Sequence, residues 1–160
     1  MQGIIKVILN LFSRKFLIKI SLILKPFFEL IFKGDRFVDP INNKSYSYFF
    51  PYGYNKLRKN ALSPGTLSLE RHRLLWIFLE KETDFFNTEN KILHIAPEQC
   101  FYKSFKKNFE SYTTCDLNSP IAEIKADVCN LPFDENEFDF VLCNHVLEHV
   151  YDDERAMKEI

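Results

Sequence analysis

The chain has 160 residues, 46% of them hydrophobic, and a formal net charge of −1. That hydrophobic share excludes a disordered chain, and the length suits one domain with an appendage. The near-neutral total hides a split: residues 1–34 hold six Lys/Arg and one acid (net +5), while the other 126 hold 15 basic and 21 acidic residues (net −6), which excludes a globally basic nucleic-acid binder.

Residues 4–32 are rich in Ile, Leu and Phe, and the longest charge-free run is Val7 to Ser13. A bilayer span needs roughly 20 apolar residues, so no transmembrane helix is expected here. Lys19 interrupts the stretch and no small-residue cleavage site follows, which also argues against a signal peptide. On a helical wheel Lys6, Asn10, Arg14 and Ser21 share a side, whereas Lys15 and Lys19 fall nearly opposite. Pro26 is expected to break or kink the helix. Two readings of residues 1–33 stay open: a basic apolar helix lying in a membrane interface, or a helix packed on the protein's own body.

From Gly34 to Ser68 the helical periodicity fades. Turn formers recur at Asp39-Pro40, Asn42-Asn43, Pro51-Tyr52-Gly53 and Ser63-Pro64-Gly65, and aromatic residues cluster at Tyr46, Tyr48, Phe49, Phe50, Tyr52 and Tyr54. Short strands and turns are predicted. Asp39-Pro40-Ile41-Asn42 and Ser63-Pro64-Gly65-Thr66 begin 24 residues apart. Paired C-P-x-C tetrads at such a separation would form a zinc ribbon, but no cysteine stands in either, and Asn, Ser and Thr are poor zinc ligands. No metal is expected.

Ser68 is a candidate N-cap for the next helix, with Glu70 in its first turn. Leu74, Leu75, Phe78 and Leu79 form its expected apolar face. Arg71, His72 and Arg73 are read either as a solvated helix start or as a site wall that meets an anionic substrate.

From Lys91 the pattern becomes β/α. Ile92–Ala96 is a predicted strand, and Pro97 opens a helix whose Phe101, Phe105 and Phe109 share a face. Tyr112–Asp116 and Ile124–Asp127 are predicted second and third strands. Phe138–Asn144 is a fourth, apolar enough to be central. Asp152, Asp153 and Glu154 open a final helix with acids at its positive end. Alternation of this kind implies an open parallel α/β sheet with right-handed crossovers. Ligands bind beyond the carboxyl ends of such strands. Asp116 lies 20 residues after Ala96, the separation at which a carboxylate meets ribose hydroxyls. Asp127, at the next strand end, is placed to accept a proton from an exocyclic amine. Cys100, Cys115, Cys129 and Cys143 form no C-x-x-C pair and read as buried small hydrophobes in a reducing, cytoplasmic setting.

Ile92-Leu-His-Ile-Ala-Pro-Glu98, Asp116, Asp127-Val-Cys-Asn-Leu-Pro-Phe133 and Phe138-Asp-Phe-Val-Leu-Cys-Asn-His-Val-Leu-Glu-His-Val150 resemble the first half of a class I S-adenosylmethionine-dependent methyltransferase. Upstream, Phe50-Pro-Tyr-Gly53, Asn60-Ala-Leu62 and Ser68-Leu-Glu-Arg-His-Arg73 resemble a bacterial subgroup that carries a small zinc ribbon, and the two tetrads fall where its cysteine pairs would be. The resemblance implies a Rossmann-like open, mainly parallel sheet, the first half of a seven-stranded one. Before it stand an N-terminal helix (1–33) and a degenerate ribbon-like segment (34–67); residues 68–160 form a partial methyltransferase domain. Because the pattern stops after the fourth strand, the chain is expected to be a fragment.

In the family's D-x-G-x-G loop, His94 stands here at the acid, Ala96 at the first glycine and Glu98 at the second. The resemblance implies S-adenosylmethionine as cofactor, held by His94, Ala96, Glu98, Asp116, Asp127 and Asn144. It also implies a small-molecule or saccharide-type acceptor and no nucleic acid. His145 and His149 are candidate general bases for a hydroxyl acceptor. Peripheral contact of residues 1–33 with the cytoplasmic face of a membrane would fit a membrane-linked glycan precursor. Two other readings are carried forward. One is a degenerate, non-catalytic cofactor-fold module. The other is a zinc peptidase, because His145-Val-Leu-Glu148-His149 fits H-x-x-E-H.

Overall fold

The computed structural model describes residues 14–53 and 56–160, and the chain divides into two compact units, Met1–Arg73 and Leu74–Ile160. The expectations for Lys6, Asn10, the Val7–Ser13 run and Tyr54 lie outside the described residues, as do the side chains of Arg14, Lys15, Lys19 and Ser21.

The first unit opens with helix α1 (Arg14–Ile31), which runs through Pro26 without ending there. Pro26 is exposed, and the turns after it are held by packing: Phe28 and Phe32 meet Phe50 edge-on at 5.5 and 4.9 Å. Aromatic burial of this kind outweighs one missing backbone bond. Strands β1 (Lys33–Asp39) and β2 (Lys44–Tyr46) pair antiparallel, with Asp39 opposite Lys44. Asn43 turns the hairpin at φ 56°, the left-handed region that asparagine tolerates. Strands β3 (Phe50–Tyr52) and β4 (Arg58–Leu62) form a second antiparallel pair. Among the described residues no helix is long and apolar enough to cross a membrane.

The two tetrads meet in the interior of this unit. The Asp39 carboxylate, fully buried, accepts hydrogen bonds from the Ile41 amide (3.1 Å), the Thr66 hydroxyl (2.5 Å) and the Ser68 hydroxyl (3.3 Å). The Ser63 hydroxyl accepts from the Gly65 amide at 3.2 Å. The Asn42 amide donates to the Tyr46 hydroxyl at 2.8 Å. A Cβ on Gly65 would collide with the Tyr46 ring and the Asn42 amide, so this turn requires glycine. Oxygens and amides thus hold the two turns together.

Helix α2 (Glu70–Glu82) carries the boundary between the units. Its start differs from expectation. Ser68 is not the cap; its hydroxyl serves Asp39, and the His72 ring instead accepts the Leu69 amide at 3.0 Å. Arg73 donates to the Ser68 and Ala61 carbonyls (2.7 and 3.1 Å) and lies 4.7 Å over the Phe49 ring. The buried stripe is His72, Trp76 and Leu79, at i, i+4 and i+7, while Leu74 and Phe78 are exposed.

In the second unit strands β5 (Ile92–Ile95), β6 (Tyr112–Cys115) and β7 (Phe140–Cys143) form a parallel sheet ordered β6–β5–β7. The central strand is therefore β5, buried at all four positions, and not the fourth predicted strand. Side chains alternate faces along a strand. Leu93 and Ile95 join Cys115, Ala126, Val128 and Ala156 in one apolar core. His94 faces the other side, against Phe101 and Phe105 of helix α3 (Gln99–Asn108). Trp76 stacks on Phe105 there, with ring centroids 5.7 Å apart and planes within 7°. Helix α3 begins two residues after Pro97, with Glu98 at its N-cap position.

The expected strand at 124–127 does not form. Only Ile124 bridges to Cys115. Asp127 then closes a turn, its backbone carbonyl taking the Asn130 amide and its carboxylate the Cys129 amide, both at 2.9 Å. Side-chain acceptance of a nearby amide competes with a strand ladder. A short helix α4 (Asp153–Glu159) follows, capped by the Asp152 carboxylate, which accepts the Arg155 amide at 3.0 Å.

Candidate functional site

The register sets the site. Ile95 pairs with Cys115 on one side and Cys143 on the other. The residues that follow each strand, Ala96, Asp116 and Asn144, thus leave the sheet at one level. A cavity of about 470 Å³ opens at this edge, within the range of small-molecule sites. Its lining includes Ala96, Asp116, Asp127, His145, His149 and Tyr151.

Asp116 is half-buried, and its Oδ1 accepts the Asn118 and Ser119 amides at 2.6 and 2.5 Å. Among the described residues no donor reaches its Oδ2. One oxygen shapes the loop, and the other is left for a ligand. The Asp127 carboxylate is exposed at the same cavity, its Oδ1 holding the Cys129 amide. Ala96 sits at φ 52°. A left-handed backbone is the conformation glycine supplies freely and alanine adopts at a cost. The loop has kept a glycine-type path without the glycine.

His94 and Glu98 are not among the residues that line the cavity. His94 is fully buried. Its Nδ1 meets the Tyr112 hydroxyl at 2.8 Å and its Nε2 meets the Glu98 carboxylate at 2.6 Å. The Asn144 amide donates to the same Glu98 oxygen at 3.5 Å. These side chains form a polar chain beneath the loop that ties β5, β6, α3 and β7 together. Burial, with the Glu98 charge added, pushes the Tyr112 phenol far above its ordinary range, so its hydroxyl stays protonated.

His145 follows Asn144 with φ 55°, and its Nδ1 lies 3.0 Å from Glu148 Oε1. A bond from its own backbone amide, the His145 hydrogen bond and the nearby imidazoles hold the Glu148 carboxyl below its usual range. His149 ends a 3₁₀ turn (Leu147–His149). The H-x-x-E-H reading requires both histidines on one α-helical face. The left-handed His145 and the 3₁₀ turn do not provide that face, and among the described residues no three His, Cys, Asp or Glu side chains converge on a metal site. The zinc-peptidase reading therefore fails on geometry.

The lining residues Leu117, Asn118, Val128, Tyr151 and Asp152 were not anticipated from the sequence. Exposed side chains beside an acid, Leu117 after the strand-end Asp116 and Tyr151 before the helix-capping Asp152, were the available signal. Burial raises the Cys115 thiol to about 11 and pushes Cys143 and Cys129 up as well.

A methyltransferase-domain family model matches residues 88–160. No curated protein and no solved structure matches the chain. The matched residues begin just before β5 and contain the whole parallel sheet, with Asp116 at the end of β6 and Asp127 in its turn. Residues 88–160 are thus similar to a methyltransferase domain, and their parallel sheet is consistent with a Rossmann-like methyltransferase fold.

Proposed function

We propose that the domain transfers a methyl group from S-adenosylmethionine to the hydroxyl of a small-molecule or saccharide-type acceptor. The observation that carries the reading is a pair of aspartates on one cavity, Asp116 at a strand end and Asp127 in a turn, with Asp116 Oδ2 uncommitted. A carboxylate there accepts both protons of a ribose diol, and Asp127 at the same rim can accept from an adenine amine. The bound cofactor would supply an already electrophilic methyl on a sulfonium, so the protein's task is alignment and exclusion of water. Ala96, turned in the left-handed region, would let the loop backbone approach the methionine end. The N-terminus of α3 would offer its positive pole to the methionine carboxylate.

A hydroxyl acceptor must lose a proton. His145 is the better base of the two candidates, because Glu148 engages its Nδ1 and leaves Nε2 to take the proton. The exposed Tyr151 ring at the cavity rim offers an apolar platform of the kind that stacks against a sugar face. His94, Glu98 and Asn144 act in this reading by holding the loop from behind.

A degenerate, non-binding module is the competing reading. The glycine-type backbone at Ala96 speaks against it. Titration calorimetry with S-adenosylhomocysteine separates the two. Binding that weakens about 100-fold in Asp116→Ala, the loss of two charge-assisted hydrogen bonds, supports cofactor use. Absence of heat with the wild-type chain, or unchanged affinity in Asp116→Ala, refutes it.

A further inference from the structure

Helix α1 has two apolar faces, and the fold uses one of them. Phe28 and Phe32 point inward onto Phe50, and Glu29 beside them pairs with Lys44 at 2.6 Å. The opposite side carries Ile20, Ile23, Leu24, Phe27, Leu30 and Ile31, all exposed, with Ile23 and Leu30 at 73% and 74%. Their spacing of three and four residues makes one continuous stripe along the helix. No charged residue falls among these six positions. Apolar stripes of this extent mark an interaction surface.

We propose that this stripe docks α1 flat on the headgroup–acyl boundary of an anionic phospholipid leaflet. Three observations select that occupant. Among the described residues no helix is long and apolar enough to cross a bilayer, yet α1 presents an exposed apolar stripe from Ile20 to Ile31. The segment that carries it holds six basic residues and one acid, while the remaining 126 residues are net acidic. An anionic surface therefore attracts this segment and repels the rest of the chain. A groove of about 530 Å³ runs beside the stripe, lined by Leu30, Lys33, Gly34, Lys44 and Ser45 among others. The exposed Lys33 there lies next to Leu30, as a headgroup phosphate beside an acyl chain would require. Residues 1–33 were open to two readings, membrane contact or self-packing, and the helix serves both through opposite faces.

The test is flotation of the full chain with vesicles of phosphatidylcholine and phosphatidylglycerol in equal parts, against vesicles of phosphatidylcholine alone. The wild-type chain should float with the mixed vesicles, less so as salt rises. The variant Ile23→Ser/Phe27→Ser/Leu30→Ser should partition at least about 30-fold more weakly, whereas Val38→Ser, at an exposed apolar residue of β1, should behave as wild type. Leu24→Asp supplies a second, single-site variant with the same expected loss, and far-UV circular dichroism checks that the helix persists. Failure of the wild-type chain to float, equal flotation with neutral vesicles, or wild-type binding by both stripe variants overturns the proposal. So does a concentration-dependent dimer that the triple variant dissolves, which would assign the stripe to a second copy of the chain.

Discussion

The buried Asp39 cluster allows a sharp test of what holds the turns of the first unit together. In Asp39→Ala the Ile41 amide and the Thr66 and Ser68 hydroxyls lose an ionised acceptor at 3.1, 2.5 and 3.3 Å. Asp39 and Ser68 are fully buried and Thr66 is 6% exposed, so water does not replace the missing oxygens. Hydrogen bonds to charged groups contribute about 1.5–3 kcal/mol each, they are not additive within one network, and burial of the carboxylate offsets part of the gain. A net loss of about 3 kcal/mol follows for the first unit. Asp39→Asn should lose about half of that, because its amide oxygen can still take the Ile41 amide while its N–H groups face hydroxyls able to accept. Native-state hydrogen exchange reads the effect locally. Protection of the β1–β2 amides should fall about 100-fold in Asp39→Ala, while amides of β5 in the second unit stay as they were. A chelator should change neither, because the side chains that join the turns are oxygens and amides. A hairpin that loses protection in chelator, or an Asp39→Ala chain whose hairpin exchanges as slowly as wild type, would refute the reasoning.

The remaining predictions concern the loop and the titrating groups. His94→Ala leaves the Tyr112 hydroxyl and the Glu98 carboxylate without their shared partner and opens a void, so it should cost about 3 kcal/mol by denaturant unfolding of the second unit. His94→Asp and Glu98→Gly should each destabilise, the first by setting two carboxylates together; combined, they remove that repulsion, so the pair should cost less than the sum of the singles by about 1–2 kcal/mol. Ala96→Gly should stabilise by about 1 kcal/mol, because the native φ of 52° strains alanine alone, and S-adenosylhomocysteine should bind no more weakly in calorimetry. Burial raises the Tyr46 phenol to about 12, against a partly offsetting hydrogen bond from Asn42. Its folded pKa lies above the unfolded value near 10. The folded state therefore binds the proton more tightly, and the contribution is intact below pH 10 and lost between about pH 10 and 12. Tyr46→Phe should remove about 2 kcal/mol of that alkaline slope, with tyrosinate absorbance as the readout.

What the sequence disclosed about the site followed from residue type, and what it concealed followed from partners far along the chain. Asp116 was readable because a carboxylate at a strand end, 20 residues beyond Ala96, has few uses other than a diol or a turn, and here it serves a turn with one oxygen while the other stays open. The strand itself was readable from Ile92–Ile95, since four apolar or buried positions without alternation mean cover on both faces. The third strand was misjudged because Asp127 prefers its own Cys129 amide to a ladder, a local competition that a β-rich string of residues does not reveal.

His94 lies away from the cavity for a different reason. Read against the family's loop it belongs with the cofactor, yet strand alternation already sends it away from the face of Leu93 and Ile95. Its ring nitrogens then find Tyr112, 18 residues on, and Glu98. Glu98 in turn points back beneath the loop because Asn144, 46 residues distant in sequence, approaches the same oxygen. Had Glu98 turned outward, a second negative charge would stand where a methionine carboxylate is expected. The contact between His94 and Glu98 instead buries the polarity of both, and the carboxylates on the cavity are those of Asp116, Asp127 and Asp152.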